Sequence, residues 1–177
     1  MIFMGPFRYR QNLEGLRAFL EHVYPHVRSA VAECSLLVLG GDGAPAAAAV
    51  DPLFAQAGVR VLEHREDAEA LLRDSAVSIN PLVGIRGSAI KLLESLLAGR
   101  VCVSTRDGSR GFAASGPTAL YIADDVPSMA APLIDLLQHV DRRHALETPS
   151  STALAEFTWR SSAARQAALY RSLMGAA

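Results

Sequence analysis

The chain has only two cysteines among its 177 residues, and neither sign of charge is in excess. Its 17 Lys and Arg residues nearly balance 18 Asp and Glu residues, which gives a formal net charge of -1. This balance predicts no general attraction to nucleic acid or to anionic membranes. Cys34 and Cys102 each adjoin an apolar run typical of a buried strand, which favours two reduced core thiols over a disulfide or a metal pair. Reduced thiols predict a cytoplasmic location.

Long hydrophobic runs are also missing. No stretch approaches the ~20 consecutive apolar residues that cross a bilayer, so no transmembrane segment is expected. The run 1–4 is too short and uncharged for a secretory signal. Because this strand-like run begins at the first residue, we expect the chain to be one domain taken from a longer protein. A length of 177 residues suits a single domain with its own core.

Short apolar runs alternate with stretches of helical periodicity. The predicted strands are 2–4, 36–39, 59–62, 76–79, 101–103 and 119–122. Apolar residues spaced by three and four predict helices between them, with the clearest ones in 13–23 and 88–98. Strands that are apolar on both faces and separated by helices are typical of a covered parallel sheet. The sequence predicts a Rossmann-like, doubly wound α/β domain of about six strands with helices on both faces.

The sequence also allows three more specific predictions about local structure. The alanine-rich segment 46–50 is predicted to be a loop. Asp67 is expected to cap the helix that follows it. In the last helix, Trp159 and Tyr170 accompany small and apolar residues, which favours packing in the core over a stacking platform for sugar.

The segment from Asn80 to Thr105 is the most informative. A strand leads through a glycine loop into a helix, and a further strand follows. Gly87 permits a close backbone approach, and free N–H groups at the start of the helix would face an anion. Lys91 adds a positive charge in the first turn, and Glu94, one turn further on, can accept two hydroxyl hydrogen bonds. A diphosphate and the ribose attached to it suit this arrangement.

This segment resembles the signature of the group 1, or family 4, glycosyltransferases of the GT-B fold. A Pro-Leu strand end, a glycine-rich loop, a Lys, a Glu, a small-residue helix end and a Val-rich strand with Ser-Thr follow in this order. The similarity continues in segments 5–25, 107–112, 121–125 and 157–159. It implies that residues 1–177 are the C-terminal, nucleotide-sugar-binding half of a hexosyltransferase-type enzyme, with the N-terminal acceptor domain absent.

The resemblance also assigns residues to the donor. Glu94 would bind the ribose, backbone amides at the start of the helix would hold the diphosphate with help from Lys91, and the turn that contains His64 lies where the family binds the base. Segment 5–12 resembles the loop that supplies basic phosphate ligands, although Pro6 replaces the usual Arg. The candidate donor-binding residues are Glu94, Lys91, Gly87, Ser88, Ala89, Arg86, Arg8, Arg10 and His64.

The implied reaction is transfer of a glycosyl group from a nucleoside-diphosphate sugar to a hydroxyl acceptor, with retention of configuration. No metal and no other cofactor is expected, and no His shows metal-ligand spacing. The catalytic residues would lie on the missing domain, so the isolated chain is expected to be inactive. That domain could also supply peripheral membrane association.

Other interpretations remain open. Arg86 stands eight positions before Glu94, where many members of the family carry an acid near the transferred sugar. The chain could therefore be a degenerate, non-catalytic binding or scaffold domain. Glu94 could instead be a solvated residue paired with Arg100 or Lys91, and loop arginines and a lone histidine are by default surface residues. A nicotinamide-dependent dehydrogenase is disfavoured, because segment 5–10 lacks the Gly-x-Gly-x-x-Gly turn.

Overall fold

The computed structural model describes residues 1–84, 89–112, 119–147, 154 and 157–175. Within these ranges the chain forms a sheet of six parallel strands in the order β3-β2-β1-β4-β5-β6. The strands are β1 Ile2–Met4, β2 Leu36–Leu39, β3 Val59–Leu62, β4 Val77–Asn80, β5 Val101–Thr105 and β6 Leu120–Ala123. The predicted doubly wound fold is confirmed.

Helices join the strands and cover both faces of the sheet. The α-helices are α1 Arg10–His22, α2 Tyr24–Ala30, α3 Ala44–Ala49, α4 Ala68–Arg73, α5 Ile90–Leu97, α6 Ala130–Gln138, α7 Val140–Glu147 and α8 Trp159–Met174. Pro52–Ala55 and Pro127–Met129 form single 3₁₀ turns. None of the helices in the described ranges is long and apolar enough to cross a membrane.

The core divides between the two faces because neighbouring residues of a strand point in opposite directions. On one face, Phe3 of β1 packs in a cluster with Leu16 of α1 and Leu133 of α6. On the other face, Ile2 packs with Leu39 and Leu72, under α4. Every residue of β4 and β5 is buried, as expected for central strands that are covered on both sides. Cys34 and Cys102 are buried free thiols, as predicted.

Helix α1 lies close against the end of β4. Its buried residues Leu16, Phe19 and Leu20 recur at helical spacing, so one face of the helix meets the core. Gly15 makes the approach close, since a Cβ at this position would overlap the carbonyl oxygen of Pro81. Glycine here lets α1 reach the carboxyl edge of β4.

The prediction of a loop at 46–50 was wrong, because helix α3 occupies Ala44–Ala49. Alanine has the highest helix propensity, and a proline in the first turn suits a helix start. Gly43, at φ +72°, provides the left-handed turn that leads into the helix. Ala44 and Ala48 are buried, so small side chains here serve close packing.

Asp67 is the N-cap residue of α4, as predicted, but its carboxylate pairs with Arg65 at 2.7 Å and accepts no hydrogen bond from a first-turn amide. The expectation for the last helix was wrong. In α8, Trp159 is 93% exposed and Tyr170 is 55% exposed, and no residue of the helix is buried. Apolar spacing predicts an apolar face of the helix but not what covers that face. Three more apolar residues of α8 are also more than half exposed, namely Leu169, Leu173 and Met174.

Candidate functional site

The order of the strands reverses between β1 and β4, and a cavity of about 560 Å³ opens beyond their carboxyl ends. Such a switch point is where open α/β sheets bind ligands. We call it the switch-point cavity. Its lining residues are Tyr9, Gln11, Asn12, Asn80, Leu82, Gly84, Ala89, Ile90, Lys91 and Gly108. They come from the start of α1, the end of β4 with its loop, the start of α5, and the loop after β5.

Lys91 is the one charged side chain among the described residues that line this cavity. It is also the single lysine of the chain. The half-buried Nζ donates a hydrogen bond to Asn12 Oδ1 over 2.6 Å and lies 6.0 Å from the centre of the Phe3 ring. Burial lowers the pKa of Lys91 from its ordinary value to about 8, and the Glu94 carboxylate offsets part of that shift. The cavity therefore offers an anion one poorly hydrated ammonium group.

Asn12 is a site residue that the sequence analysis missed. Its side chain is 4% exposed, and Nδ2 donates to the carbonyl oxygen of Pro6 over 2.9 Å. A signal was present, because Asn12 precedes Leu16 by four residues and Phe19 by seven. It therefore lies on the buried face of α1, where a polar side chain needs partners.

The floor of the cavity joins β4 to the loop after β5. The buried Asn80 Nδ2 donates to Gly108 O over 2.8 Å and to Ser104 Oγ over 3.2 Å. A Cβ on Gly108 would lie 2.8 Å from Asn80 O, so only glycine fits there. The N–H of Gly84 donates to Asp107 Oδ2 over 2.7 Å, which ties the loop after β4 to the same place. Asn80 was identified from sequence only as a strand end, and its partners lie more than twenty residues away.

Glu94 lies outside the switch-point cavity. Its exposed side chain lines a second cavity of about 360 Å³, the α4–α5 cavity, together with Met4, Ala68, Glu69, Leu72, Leu97 and Ala98. Met4 ends β1 and Ala68 begins α4, so this cavity also lies towards the carboxyl edge of the sheet. Within the described ranges the Glu94 carboxylate has no hydrogen bond and no ion pair. Arg100, one of its suggested partners, pairs with Glu147 at 3.5 Å.

The start of α5 brings one more predicted residue into the site. The helix begins at Ile90, two residues later than the sequence predicts, and Ala89 is its N-cap and lines the switch-point cavity. Ala89 has no side chain that could cap the first-turn amides, which lack intrahelical partners. Arg86, Gly87 and Ser88 lie outside the described residues.

The remaining candidates are not among the residues that line either cavity. Arg10 is exposed and pairs with Glu14 at 2.7 Å, while the guanidinium of Arg8 lies 4.9 Å from the centre of the Tyr9 ring. His64 is exposed in the turn between β3 and α4. None of the three lines either cavity, and their roles stay predictions.

The family model described as "Glycosyl transferases group 1" matches residues 1–139. Three solved structures share the fold. A glycosyltransferase from Rickettsia africae has a TM-score of 0.74 and 12% identity, covering 98% of this chain and 48% of its own. A UDP-forming α,α-trehalose-phosphate synthase from Burkholderia vietnamiensis has a TM-score of 0.69 and 17% identity, with coverage of 99% and 44%. The C-terminal domain of a group 1 glycosyl transferase from Francisella tularensis has a TM-score of 0.64 and 12% identity, with coverage of 87% and 83%.

The chain thus spans about half the length of the first two of these proteins. No curated protein sequence matches it significantly.

Proposed function

The chain belongs to the group 1 glycosyl transferases, and from this premise we propose that it is the donor-binding half of a retaining enzyme. That enzyme would transfer a hexosyl group from a nucleoside-diphosphate sugar to a hydroxyl acceptor. The observation that carries the proposal is the switch-point cavity, whose one described charged side chain is the ammonium of Lys91. The half-length coverage of the Rickettsia and Burkholderia proteins supports a missing domain, and the Francisella C-terminal domain supports the assignment of this half.

The diphosphate would lie at the start of α5. Free amides in the first turn, at the positive end of the helix dipole, favour an anion there, and Lys91 adds a full charge from the same turn. When the glycosyl bond breaks, negative charge grows on the departing diphosphate. Donors fixed in place before the reaction stabilise that charge without reorganising. The assignment of Gly87 and Ser88 to the diphosphate, and of Arg86 to the donor, stays a prediction from sequence.

The ribose would lie beside Glu94, whose carboxylate has no partner within the described ranges and can accept hydrogen bonds from two hydroxyls. The apolar wall that Met4 and Leu72 contribute to the same cavity suits a flat, weakly polar group next to the ribose. The Burkholderia relative is described as UDP-forming, which supports a nucleoside diphosphate as the ligand class.

The acceptor would be held by the missing N-terminal domain, which would close over the donor by a hinge motion. The residues that align the acceptor hydroxyl would lie there, so the chain alone is expected to bind donor without transferring sugar. Neither a metal nor another cofactor enters this scheme, because the helix start and Lys91 would offset the diphosphate charge. Any peripheral attachment to a membrane would also come from the missing half.

Nucleotide binding tests this proposal. We expect one of UDP, GDP and ADP, or its sugar conjugate, to raise the melting temperature of the chain selectively. A ligand at 100 times its Kd stabilises a fold by ~2.7 kcal/mol. Glu94→Ala should lower this stabilisation by ~0.9 kcal/mol, which corresponds to a ~5-fold loss of affinity. Glu21→Ala, another exposed helix glutamate, is the matched control and should leave it intact. If no nucleotide stabilises the wild type, the proposal fails and a degenerate scaffold domain is favoured.

Lysine labelling gives an independent readout. Since Lys91 is the single lysine, an amine-acetylating reagent at pH 8 has one side-chain target, which mass spectrometry separates from the N-terminus. A pKa near 8 leaves much of this amine unprotonated and reactive at that pH. The stabilising nucleotide should protect Lys91 from acetylation. A bound nucleotide that leaves the labelling rate unchanged would place the ligand elsewhere.

A further inference from the structure

We propose that Asn12 is a positioning residue that holds the Lys91 ammonium in the switch-point cavity, so that it can meet an anionic ligand. The inference rests on the proposed function for the nature of the ligand, a nucleoside diphosphate. It concerns a residue of α1, on the opposite face of the sheet from α5, and assigns it a role exerted through Lys91.

The contact crosses the switch point. Lys91 and Asn12 are 79 residues apart, and their side chains meet over 2.6 Å above the ends of β1 and β4. A lysine side chain has four rotatable bonds and on a surface would sample many rotamers. Here the Asn12 oxygen and the Phe3 ring face select a conformation that keeps Nζ at the cavity.

Asn12 itself is fixed. It is almost fully buried, and its amide nitrogen donates to Pro6 O, which orients the side-chain oxygen towards Lys91. The neutral amide accepts a hydrogen bond from the ammonium without cancelling its charge. A carboxylate in this place would form an ion pair and leave less positive charge for a ligand.

An alternative role for Asn12 is purely structural, through the bond to Pro6 O, and a double-mutant cycle separates the two roles. The probe is the nucleotide that stabilises the wild type. We expect Lys91→Met to weaken binding ~10-fold, the scale of a charge-assisted hydrogen bond. Asn12→Ala should weaken binding ~5-fold in the wild type and less than ~2-fold in the Lys91→Met background. An equal loss in both backgrounds would overturn the proposal.

Gln11→Ala is the matched control. Gln11 is the neighbouring amide, lines the same cavity and makes no hydrogen bond to Lys91 in the described structure. Any effect of this substitution should be the same with and without Lys91. Coupling between Gln11 and Lys91 as large as that of Asn12 would assign the Asn12 effect to general disturbance of the cavity.

Asn12→Asp covers the case in which the alanine variant does not fold. The new carboxylate should raise the pKa of Lys91 above its wild-type value. The single lysine makes this measurable by NMR as one titrating ¹³Cε signal in lysine-labelled protein. The titratable groups around Lys91 are Glu94 on its own helix and Tyr9 across the cavity, and the other described lining residues are neutral. An unchanged pKa would show that residue 12 does not contact the ammonium.

Inorganic pyrophosphate distinguishes failure of this inference from failure of the proposed function. If pyrophosphate binds with the Asn12–Lys91 coupling while no nucleotide binds, the positioning role stands and the nucleotide-sugar assignment falls. If a nucleotide binds and the two substitutions are additive, the assignment stands and the positioning role falls. Failure of both probes to bind the wild type overturns both.

Discussion

The two cavities beside α5 differ in the chemistry of their described walls. The switch-point cavity is lined by three side-chain amides and one ammonium, that of Lys91, together with Tyr9, apolar side chains and glycines. The α4–α5 cavity is lined by Met4, Leu72 and other apolar side chains, with the carboxylates of Glu69 and Glu94. Lys91 and Glu94 are only three residues apart on one helix. A single turn of helix therefore separates a surface that attracts anions from one that repels them.

In the proposed function, this difference matches a ligand whose diphosphate and ribose lie about one helical turn apart. The environments of the Lys91 and Glu94 side chains also differ. Lys91 is half-buried and hydrogen-bonded to Asn12, and its pKa is lowered. Glu94 is exposed and has no hydrogen-bond or ion-pair partner in the described ranges. In the proposed function, the Lys91 ammonium is thus held in place before a ligand arrives, and the Glu94 carboxylate is the group that accepts hydroxyl hydrogen bonds.

The largest effect is expected from a substitution that disturbs the switch-point cavity and leaves the α4–α5 cavity unchanged. Gly15→Leu would push α1 away from Pro81, because a side chain there overlaps a backbone carbonyl and not the end of a flexible side chain. We expect the free energy of unfolding to fall by about 3 kcal/mol. Anion binding should weaken, since Asn12 moves with α1. Chemical denaturation and pyrophosphate titration measure both.

Gly175→Leu is the control, because its Cβ would lie 3.3 Å from one carbonyl near the end of the chain. It should change stability by no more than about 0.5 kcal/mol. A Gly15→Leu variant as stable as this control would contradict the close approach of α1 to β4.

The second prediction concerns pH. The protonated form of Lys91 attracts an anion, so affinity should be full below its pKa of about 8 and decline as pH rises above it. We expect nucleotide affinity to fall ~6-fold between pH 7.5 and 9.5, because complete loss of the charge costs ~10-fold and part of Lys91 is already deprotonated at pH 7.5. Lys91→Arg should remove this dependence, because arginine stays protonated throughout. Calorimetry over this range tests it, and the same decline in Lys91→Arg would exclude Lys91 as the titrating group.

The third prediction separates the two halves of the ligand. Glu94→Ala should weaken nucleotide binding ~5-fold through loss of hydrogen bonds to ribose hydroxyls. It should leave the affinity for inorganic pyrophosphate within ~2-fold of wild type. A 2′,3′-dideoxynucleotide should bind wild type and variant about equally. If Glu94→Ala lowers pyrophosphate affinity as much as nucleotide affinity, the contrast between the two cavities is lost.

The smallest effect is expected at Trp159, which lines neither cavity. Because its ring is 93% exposed, Trp159→Ser should change the free energy of unfolding by less than about 0.5 kcal/mol. Nucleotide and pyrophosphate affinities should stay at wild-type values. A loss of 2 kcal/mol or more in thermal unfolding would show that α8 packs its apolar face.

Much of the fold followed from sequence pattern alone. The bounds of β2 and β3 match the predicted segments, because runs of four residues between turn residues are long enough for a strand but too short for most helices. The similarity to group 1 glycosyltransferases is confirmed by the family model. Segment 46–50 was assigned wrongly, since small residues were given more weight than the helix propensity of alanine.

The candidate site also contains residues that the sequence identified and residues that only the tertiary structure brings together. The strand, glycine loop and helix around Lys91 and Glu94 are contiguous in sequence, so local pattern could identify them. Asn12, Asn80 and Gly108 come from three separate segments and meet only because parallel strands bring their carboxyl ends to one edge. Neither the 2.6 Å contact between Asn12 and Lys91 nor the two separate cavities could be read from spacing.

By itself, the sequence determined the alternation of strand and helix, the family, and the position of a lysine and a glutamate one turn apart at a helix start. Hydrophobic periodicity and turn residues determine local structure, and so their effects can be predicted from the sequence. Tertiary structure alone decided that Lys91 faces an amide from α1 while Glu94 faces α4, and that α8 leaves its apolar side uncovered within the described ranges. The burial of a side chain and its hydrogen-bond partners depend on which distant segments pack beside it. Those contacts form only when the sheet assembles.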